Sequence, residues 1–270
     1  MLIVPPNAGR LSYGQTELIH TIRRCGLTSG LQLCLDAGDA LSYSSGQSWL
    51  DRSGNGYDFF RGADGSAAAD DPTFNGTAGN RSPSEYWSFD GGDYFTYDSA
   101  NETWMKNLHK DNAKFTLAAW THGPSLTAIN QIWAVWGVTE LLAGLNFQLT
   151  SSAKLRLAVA GGGPAALDVT STLTVPRSSW QFLAVSLDES VGANGGMFYN
   201  NGISETFTST YSSPTALDPS LSYCIAAIPE GYAMMENTSR LGMFAAWEGV
   251  ALTQTQLNAL YQTTRGRFGV

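Results

Sequence analysis

The chain has 270 residues, of which 43% are hydrophobic and 14% are charged, and its formal net charge is −8. This composition predicts one large folded domain and argues against a disordered chain. The acidic charge argues against binding to a nucleic-acid backbone. The lack of any run of about eighteen apolar residues argues against insertion into a membrane.

The first segment, residues 1–27, differs in pattern from the rest and is predicted to form an arm. Pro5 and Pro6 interrupt its start before an apolar segment long enough for a secretion signal, so synthesis in a reducing host cytoplasm is expected. Leu18 and Ile22 fall on one face of a helix. Two interpretations remain open: a short helix that plugs the domain, and a segment that docks on a partner.

Strand patterns follow from residue 31 onward. The clearest is a hairpin in which apolar and polar residues alternate over 145–150 and again over 155–159. Asn201 and Gly202 mark a second tight hairpin turn. No helical pattern alternates with these strands, so a parallel α/β architecture is disfavoured.

A corner is predicted between the first strands. Short polar side chains that can bond nearby backbone N–H groups alternate with glycine in this segment, which comprises Trp49, Asp51, Ser53, Asn55 and Gly56. The spacing is similar to the start of a calcium loop, but the twelfth position is Gly62 instead of a carboxylate. The corner is therefore interpreted as structural, and no metal is expected there.

Asp90 and Asp93 flank two glycines and are interpreted as caps of a turn that opens a strand. At the other end of the chain, Thr253 and Gln256 have the spacing of a capping box. One C-terminal helix is predicted to begin there.

These motifs, in this order, resemble the concanavalin A-like sandwich and, within it, the laminin-G-like jelly-roll group often seen in bacteriophage virion proteins. The matching segments are 33–37, 49–56, 89–91, 115–120, 199–202 and 252–261. The resemblance implies an all-β, two-sheet antiparallel jelly-roll sandwich over residues 28–270, with a short N-terminal arm and one C-terminal helix. Where many relatives carry an acidic metal ligand, this chain has Ala245, Ala246 and Trp247, so a calcium site is not expected and no cofactor is predicted.

Catalytic patterns are not found in the sequence. Glycanases need paired carboxylates on one face of a strand, whereas Asp188 and Glu189 are sequence neighbours that point to opposite faces when extended. The chain has no nucleophile elbow, and its histidines are scattered. An enzyme is therefore not expected.

Tryptophans are the candidate contact residues. Trp87, Trp104 and Trp247 lie near predicted strand ends or loops and are the candidates for contact with a ligand or another subunit. Burial in the core is the favoured interpretation for each, and contact with a ligand or subunit is the alternative.

The resemblance implies a non-catalytic virion structural protein, such as a head decoration, a fibre or a tail appendage. Its arm would attach it to other virion proteins as a homo-oligomer, and its loops would be available to bind a host-surface glycan. The alternative is a carbohydrate-active enzyme or secreted lectin on the same fold.

Overall fold

The computed structural model describes residues 17–123, 129–135, 143–229 and 234–270. It consists of two antiparallel sheets packed face to face, each with eight strands. The predicted all-β sandwich is confirmed. None of the helices in the described part of the chain has the length and apolar character that crossing a membrane requires.

The elements follow one another along the chain with few helices. They are α1 (Leu18–Arg24), β1 (Leu31–Asp36), β2 (Ser48–Trp49), β3 (Phe59–Arg61), β4 (Thr73–Asn75), β5 (Tyr86–Ser88), β6 (Phe95–Tyr97), α2 (Thr103–Asn107), β7 (Lys114–His122), β8 (Asn130–Ala134), β9 (Leu145–Leu149), β10 (Lys154–Ala160), β11 (Ala165–Thr174), β12 (Trp180–Asp188), β13 (Gly196–Asn200), β14 (Ile203–Phe207), β15 (Cys224–Ile225), β16 (Arg240–Glu248) and α3 (Gln254–Phe268).

The first sheet, called sheet A, has the strand order β14-β13-β12-β7-β16-β5-β4, and β1 also pairs with β16. The second, sheet B, has the order β11-β10-β9-β8-β15-β6-β3-β2. Every ladder between these named strands is antiparallel, and neighbouring strands often lie far apart in sequence, as in the pairing of β1 with β16.

The main core lies between the two sheets. Because successive side chains of a strand point to opposite faces, alternate apolar residues of each strand face the partner sheet. Trp133 of sheet B stacks on Phe244 of sheet A, with ring centroids 5.0 Å apart and planes only 10° from parallel. Trp49 lies in the same core, 5.0 Å from the ring of Phe95.

A second core covers part of the outer face of sheet A. Helices α1 and α3 pack there, and Trp120 of β7 stacks on Phe268 at a centroid distance of 4.4 Å. Leu18 and Ile22 of α1 are buried in this layer. The described part of the predicted arm is thus a helix docked on the sandwich, and residues 1–16 lie outside the described residues.

Local signals define the ends of α3. The Thr253 hydroxyl accepts a hydrogen bond from Gln256 N, and the Gln256 side chain accepts one from Thr253 N, which completes a capping box. Gly269 ends the helix in the left-handed region at φ 72°. The helix therefore begins where the sequence indicates, but it continues to Phe268, beyond the segment 252–261 matched in the sequence.

Candidate functional site

A groove of about 460 Å³ lies on the outer face of sheet A, beside the part that α1 and α3 cover. Its floor is formed by one row of residues in register across β4, β5 and β16: Thr73, Ser88 and Arg240. Their chain neighbours Phe74, Trp87 and Leu241 belong to the inter-sheet core. The row therefore faces away from the core, toward the groove.

Arg240 is the cationic residue of the groove. Its guanidinium lies 4.7 Å from the ring centroid of Tyr86, which packs edge-on against Trp180. Stacking on an aromatic ring holds the guanidinium while leaving its N–H groups at the rim free to donate. Within the ranges that the structure describes, no carboxylate forms an ion pair with Arg240.

Asp71, in the wall of the groove, supplies a hydrogen-bond acceptor. One oxygen, Oδ2, accepts a hydrogen bond from Gln47 Nε2 at 2.6 Å. The other, Oδ1, is buried and has no hydrogen-bond partner. A buried acceptor without a donor is energetically costly, so a ligand that brings a hydroxyl group to it gains free energy. Beside it, Asn75 Nδ2 donates to Ser88 Oγ at 3.0 Å.

Asp90 and Asp93 form a turn at one edge of the groove. Asp93 Oδ2 accepts from Asp90 N at 2.9 Å, and Asp90 Oδ1 accepts from Gly92 N at 2.8 Å. Burial, together with the nearby carboxylates of Asp90 and Asp70, raises the pKa of Asp93 to about 7. This wall of the groove therefore changes its charge close to neutral pH.

A strained residue, Thr238, lies beside the Asp90 turn. Thr238 N donates to Phe89 O at 3.0 Å, which joins its segment to this turn. Thr238 has φ 73°, a left-handed conformation that a β-branched side chain rarely adopts. Strain of this kind persists only where the surrounding contacts impose it, and it concentrates at binding sites.

Hydrogen bonds from the backbone and from side chains hold the predicted corner together and attach it to β1. Asp51 Oδ1 accepts from Cys34 N at 2.9 Å and from Ser53 N at 2.8 Å, and its Oδ2 accepts from Gly56 N at 3.1 Å. Asn55 Nδ2 donates to the β1 carbonyl of Gln32 at 2.9 Å. The oxygens of Asp51 that a cation would need are therefore already occupied by backbone donors.

The three tryptophans named as contact candidates are corrected by their burial. Trp87, Trp104 and Trp247 are 0%, 4% and 0% exposed, so none offers a ring face to a ligand at the surface. Trp87 points inward from β5, and Trp104 stacks on Trp133 at 5.9 Å. Trp247 donates its indole N–H to Leu27 O at 2.7 Å beneath the helical layer. All three rings lie in the cores, where burial of their large apolar area stabilises the fold.

The other titratable candidates are structural. Asp188 pairs with Lys114 at 2.7 Å, and Glu189 accepts hydrogen bonds from two backbone N–H groups, those of Asn112 at 3.1 Å and Tyr211 at 3.2 Å. In the part of the chain that the structure describes, no three His, Cys, Asp or Glu side chains are grouped so that they could hold a metal ion.

The sequence pattern indicates the turn of Asp90 and Asp93 but not the groove that these residues border. Arg240, Tyr86 and Asp71 are far apart in the chain, and only the register of β5 against β16 brings them together. The one signal in the sequence was a cationic residue, Arg240, at an outward-facing position at the start of a strand. Such residues are too common to identify a binding site.

Comparison with known proteins identifies the fold. The Laminin_G_3 family, described as the concanavalin A-like lectin/glucanases superfamily, matches residues 89–232. No curated protein sequence matches the chain.

Three solved structures illustrate the structural similarity. A mutant of Trypanosoma rangeli sialidase displaying trans-sialidase activity is 13% identical, with a TM-score of 0.55 over 93% of this chain and 38% of the sialidase. The binding domain of botulinum neurotoxin DC in complex with SialylT is 13% identical, with a TM-score of 0.60 over 87% of this chain and 52% of that one.

Domain 4 of AbnA, a GH43 extracellular arabinanase from Geobacillus stearothermophilus, in complex with arabinotriose, is 15% identical, with a TM-score of 0.58 over 86% of this chain and 98% of that one. This chain spans about two fifths of the sialidase and about half of the toxin domain. At these identities the similarity shows the shared fold alone.

Proposed function

The chain belongs to the concanavalin A-like lectin/glucanases superfamily, and from this premise we propose that it is a non-catalytic glycan-binding protein. The sugar binds in the groove formed by β4, β5 and β16. The observation that carries the proposal is the pairing, in one groove, of the unpartnered acceptor Asp71 Oδ1 with the guanidinium donor of Arg240.

A sugar ring matches this mixture of groups. Each hydroxyl group of a glycan both donates and accepts, so one ring can donate to Asp71 while accepting from Arg240. The polar residues Asn75 and Ser88 extend the same surface along the floor. The groove holds the carboxyl groups of Asp71, Asp90 and Asp93 against one guanidinium, which favours a neutral sugar over an anionic one.

Two of the similar structures support a glycan as the ligand class. The arabinanase domain was solved with arabinotriose and the toxin domain with SialylT. Both are distant in sequence, so they lend support to the class of ligand and do not identify the sugar.

The positions of the carboxyl groups support a role without hydrolysis. Hydrolysis of a glycosidic bond needs two carboxyl groups on opposite sides of the scissile bond. Asp90 and Asp93 belong to one turn, and each accepts a hydrogen bond from a backbone N–H of that turn. Incubation with polysaccharides should therefore release no reducing ends, and release that is abolished by Asp93→Asn would establish the alternative, a carbohydrate-active enzyme.

The finer proposal is display on a bacteriophage virion, as a head decoration, a fibre or a tail appendage. It rests on the ordered motifs over residues 33–37, 49–56 and 252–261. Residues 1–27 would attach the sandwich to other virion proteins as a homo-oligomer, and because α1 packs on sheet A, the contacts are assigned to residues 1–16. Particles assembled with a chain that lacks residues 1–16 should lose the protein, and unchanged incorporation would contradict the assignment.

The groove is tested by binding to an array of neutral and acidic glycans. Arg240→Ala should weaken binding at least about tenfold, because it removes the charged donor. Arg265→Ala is the matched control, since the Arg265 guanidinium also lies over a tyrosine ring, 5.8 Å from the Tyr261 centroid, but in α3. The proposal fails if the wild-type protein binds no glycan, or if the two variants bind equally well.

A further inference from the structure

A second pocket, of about 260 Å³, lies on the outer face of sheet B. Gln131 of β8, Gln148 of β9 and Arg156 of β10 stand in register across three strands. The alternate residues Leu145, Phe147 and Leu149 of β9 point into the inter-sheet core. The row of Gln131, Gln148 and Arg156 therefore faces away from the core, on the sheet opposite the groove.

Three amide side chains meet at the base of this pocket. Gln148 Oε1 accepts from Gln131 Nε2 at 2.8 Å and from Asn146 Nδ2 at 3.3 Å. This leaves Gln131 Oε1 and Asn146 Oδ1 buried without any hydrogen-bond partner, in residues that are 1% and 5% exposed. Two buried acceptors without donors at one place are unusual. Each has lost its hydrogen bonds to water without gaining another donor, which costs free energy.

The other walls add apolar contact and no net charge. Ile129, Ala158 and Ile228 line the pocket. Arg156 also lines it, but its guanidinium is engaged by Asp168 through two hydrogen bonds, of 2.7 and 2.6 Å. The pocket thus combines two buried acceptors without donors, an apolar wall and a neutralised ion pair.

We propose that this pocket is a second binding site, which takes one ring of a neutral polyhydroxylated ligand. Two adjacent hydroxyl groups of the ring donate to Gln131 Oε1 and Asn146 Oδ1, and the C–H face of the ring packs on Ile129 and Ile228. A charged ligand is disfavoured, because Asp168 already compensates Arg156. This site is distinct from the groove of sheet A and does not depend on the function proposed for that groove.

The test is a titration of the 15N-labelled full chain with methyl glycosides of glucose, galactose, mannose and N-acetylglucosamine, followed by NMR. The side-chain NH₂ signals of Gln131 and Asn146 should shift and saturate with one of these probes. If the signals do not move with any probe at millimolar concentration, ordered water alone satisfies the two acceptors and the proposal is overturned.

Variants separate this site from the groove. Gln131→Leu and Asn146→Ala should each weaken the affinity at least about tenfold. Thr170→Ala, which alters an exposed residue opposite Arg156 on β11, should leave the affinity unchanged. Arg240→Ala should also leave these signals responsive, so a failure of the groove is distinguishable from a failure of this site.

A stability measurement strengthens the test. Gln131→Leu removes a buried acceptor that has no donor, but also the donor of one hydrogen bond to Gln148 Oε1, so the thermal midpoint should change little while binding falls. Unchanged binding in both Gln131→Leu and Asn146→Ala would overturn the proposal. The wild-type titration decides the question even if one variant fails to fold.

Discussion

Arg267 of α3 and Asp36 of β1 form an ion pair inside the protein, 231 positions apart in the chain and each 1% exposed. Asp36 also accepts hydrogen bonds from Leu18 N and Gly38 N, both at 2.8 Å. Arg267 donates to Glu85 O at 3.0 Å. One carboxylate and one guanidinium thus connect the first helix, the first strand and the last helix.

Loss of this ion pair should strongly destabilise the fold. Arg267→Met leaves the Asp36 carboxylate buried without its cation, which should lower the free energy of unfolding by about 3 to 5 kcal/mol. Urea denaturation measures this loss. The control is Lys114→Met, which breaks a pair whose lysine is 44% exposed and should cost no more than about 1 kcal/mol. Equal losses in the two variants would contradict the central role of Arg267.

Loss of the capping box of α3 should destabilise the fold less than loss of the ion pair. Thr253→Ala removes the acceptor for Gln256 N and should reduce the free energy of unfolding by about 1 kcal/mol. Thr255→Ala, at an exposed position in the same turn, should leave stability unchanged or raise it slightly, since alanine is the better helix former. Thermal unfolding of both variants makes the comparison, and a larger loss for Thr255→Ala would show that the cap is unimportant.

Stability should depend on pH through Asp93. Its pKa is about 7 in the folded protein, mainly because of burial, and about 3.9 in an unfolded chain. The folded state therefore binds the proton more tightly, and this stabilisation is complete below about pH 4 and is lost as pH rises through 7. Between pH 5.5 and 8.5 this contribution should lower the thermal midpoint of the wild type, against an opposite contribution from His109 and His122, whose pKa values are lowered by burial.

Asp93→Asn isolates this effect, because the amide oxygen can still accept from Asp90 N while the group no longer titrates. Its thermal midpoint should fall less over the same pH range and should exceed that of the wild type at pH 8.5. Asp218→Asn, at a half-exposed carboxylate paired with Lys110, is the control and should keep the wild-type slope. A wild-type slope in Asp93→Asn would mean that another group titrates.

Relief of strain at the groove should stabilise the protein. Asn adopts positive φ more readily than Thr, so Thr238→Asn should raise the free energy of unfolding by about 1 kcal/mol. The same replacement at Thr170, an exposed strand position, should have no effect or a slightly unfavourable one. Chemical denaturation distinguishes the two, and destabilisation by Thr238→Asn would show that the threonine side chain makes a needed contact.

The structural features that the sequence predicted best are those that depend on residues close together in the chain. Thr253 and Gln256 are three positions apart, and the alternation over 145–149 states directly which side chains face the core. The groove could not be predicted in this way, because the row of Thr73, Ser88 and Arg240 exists only once the strand order and register are known. The partnership of Asp36 with Arg267 depends on the same long-range closure.

The three tryptophans named as contact candidates are buried, and a related reason explains why the sequence did not exclude them. Proximity to a strand end in sequence says little about depth, and Trp87 lies on a three-residue strand whose central side chain points inward. Because β5 belongs to sheet A, a side chain on its inner face lies between the two sheets and is buried.

Both helices that begin and end the described chain lie in one layer, on the outside of sheet A. A tether joined ahead of residue 17 or after residue 270 therefore leaves from that layer. An attachment at Glu17 or Val270 therefore lies on the same side of the sandwich as the Arg240 groove and on the side opposite the amide-lined surface of sheet B.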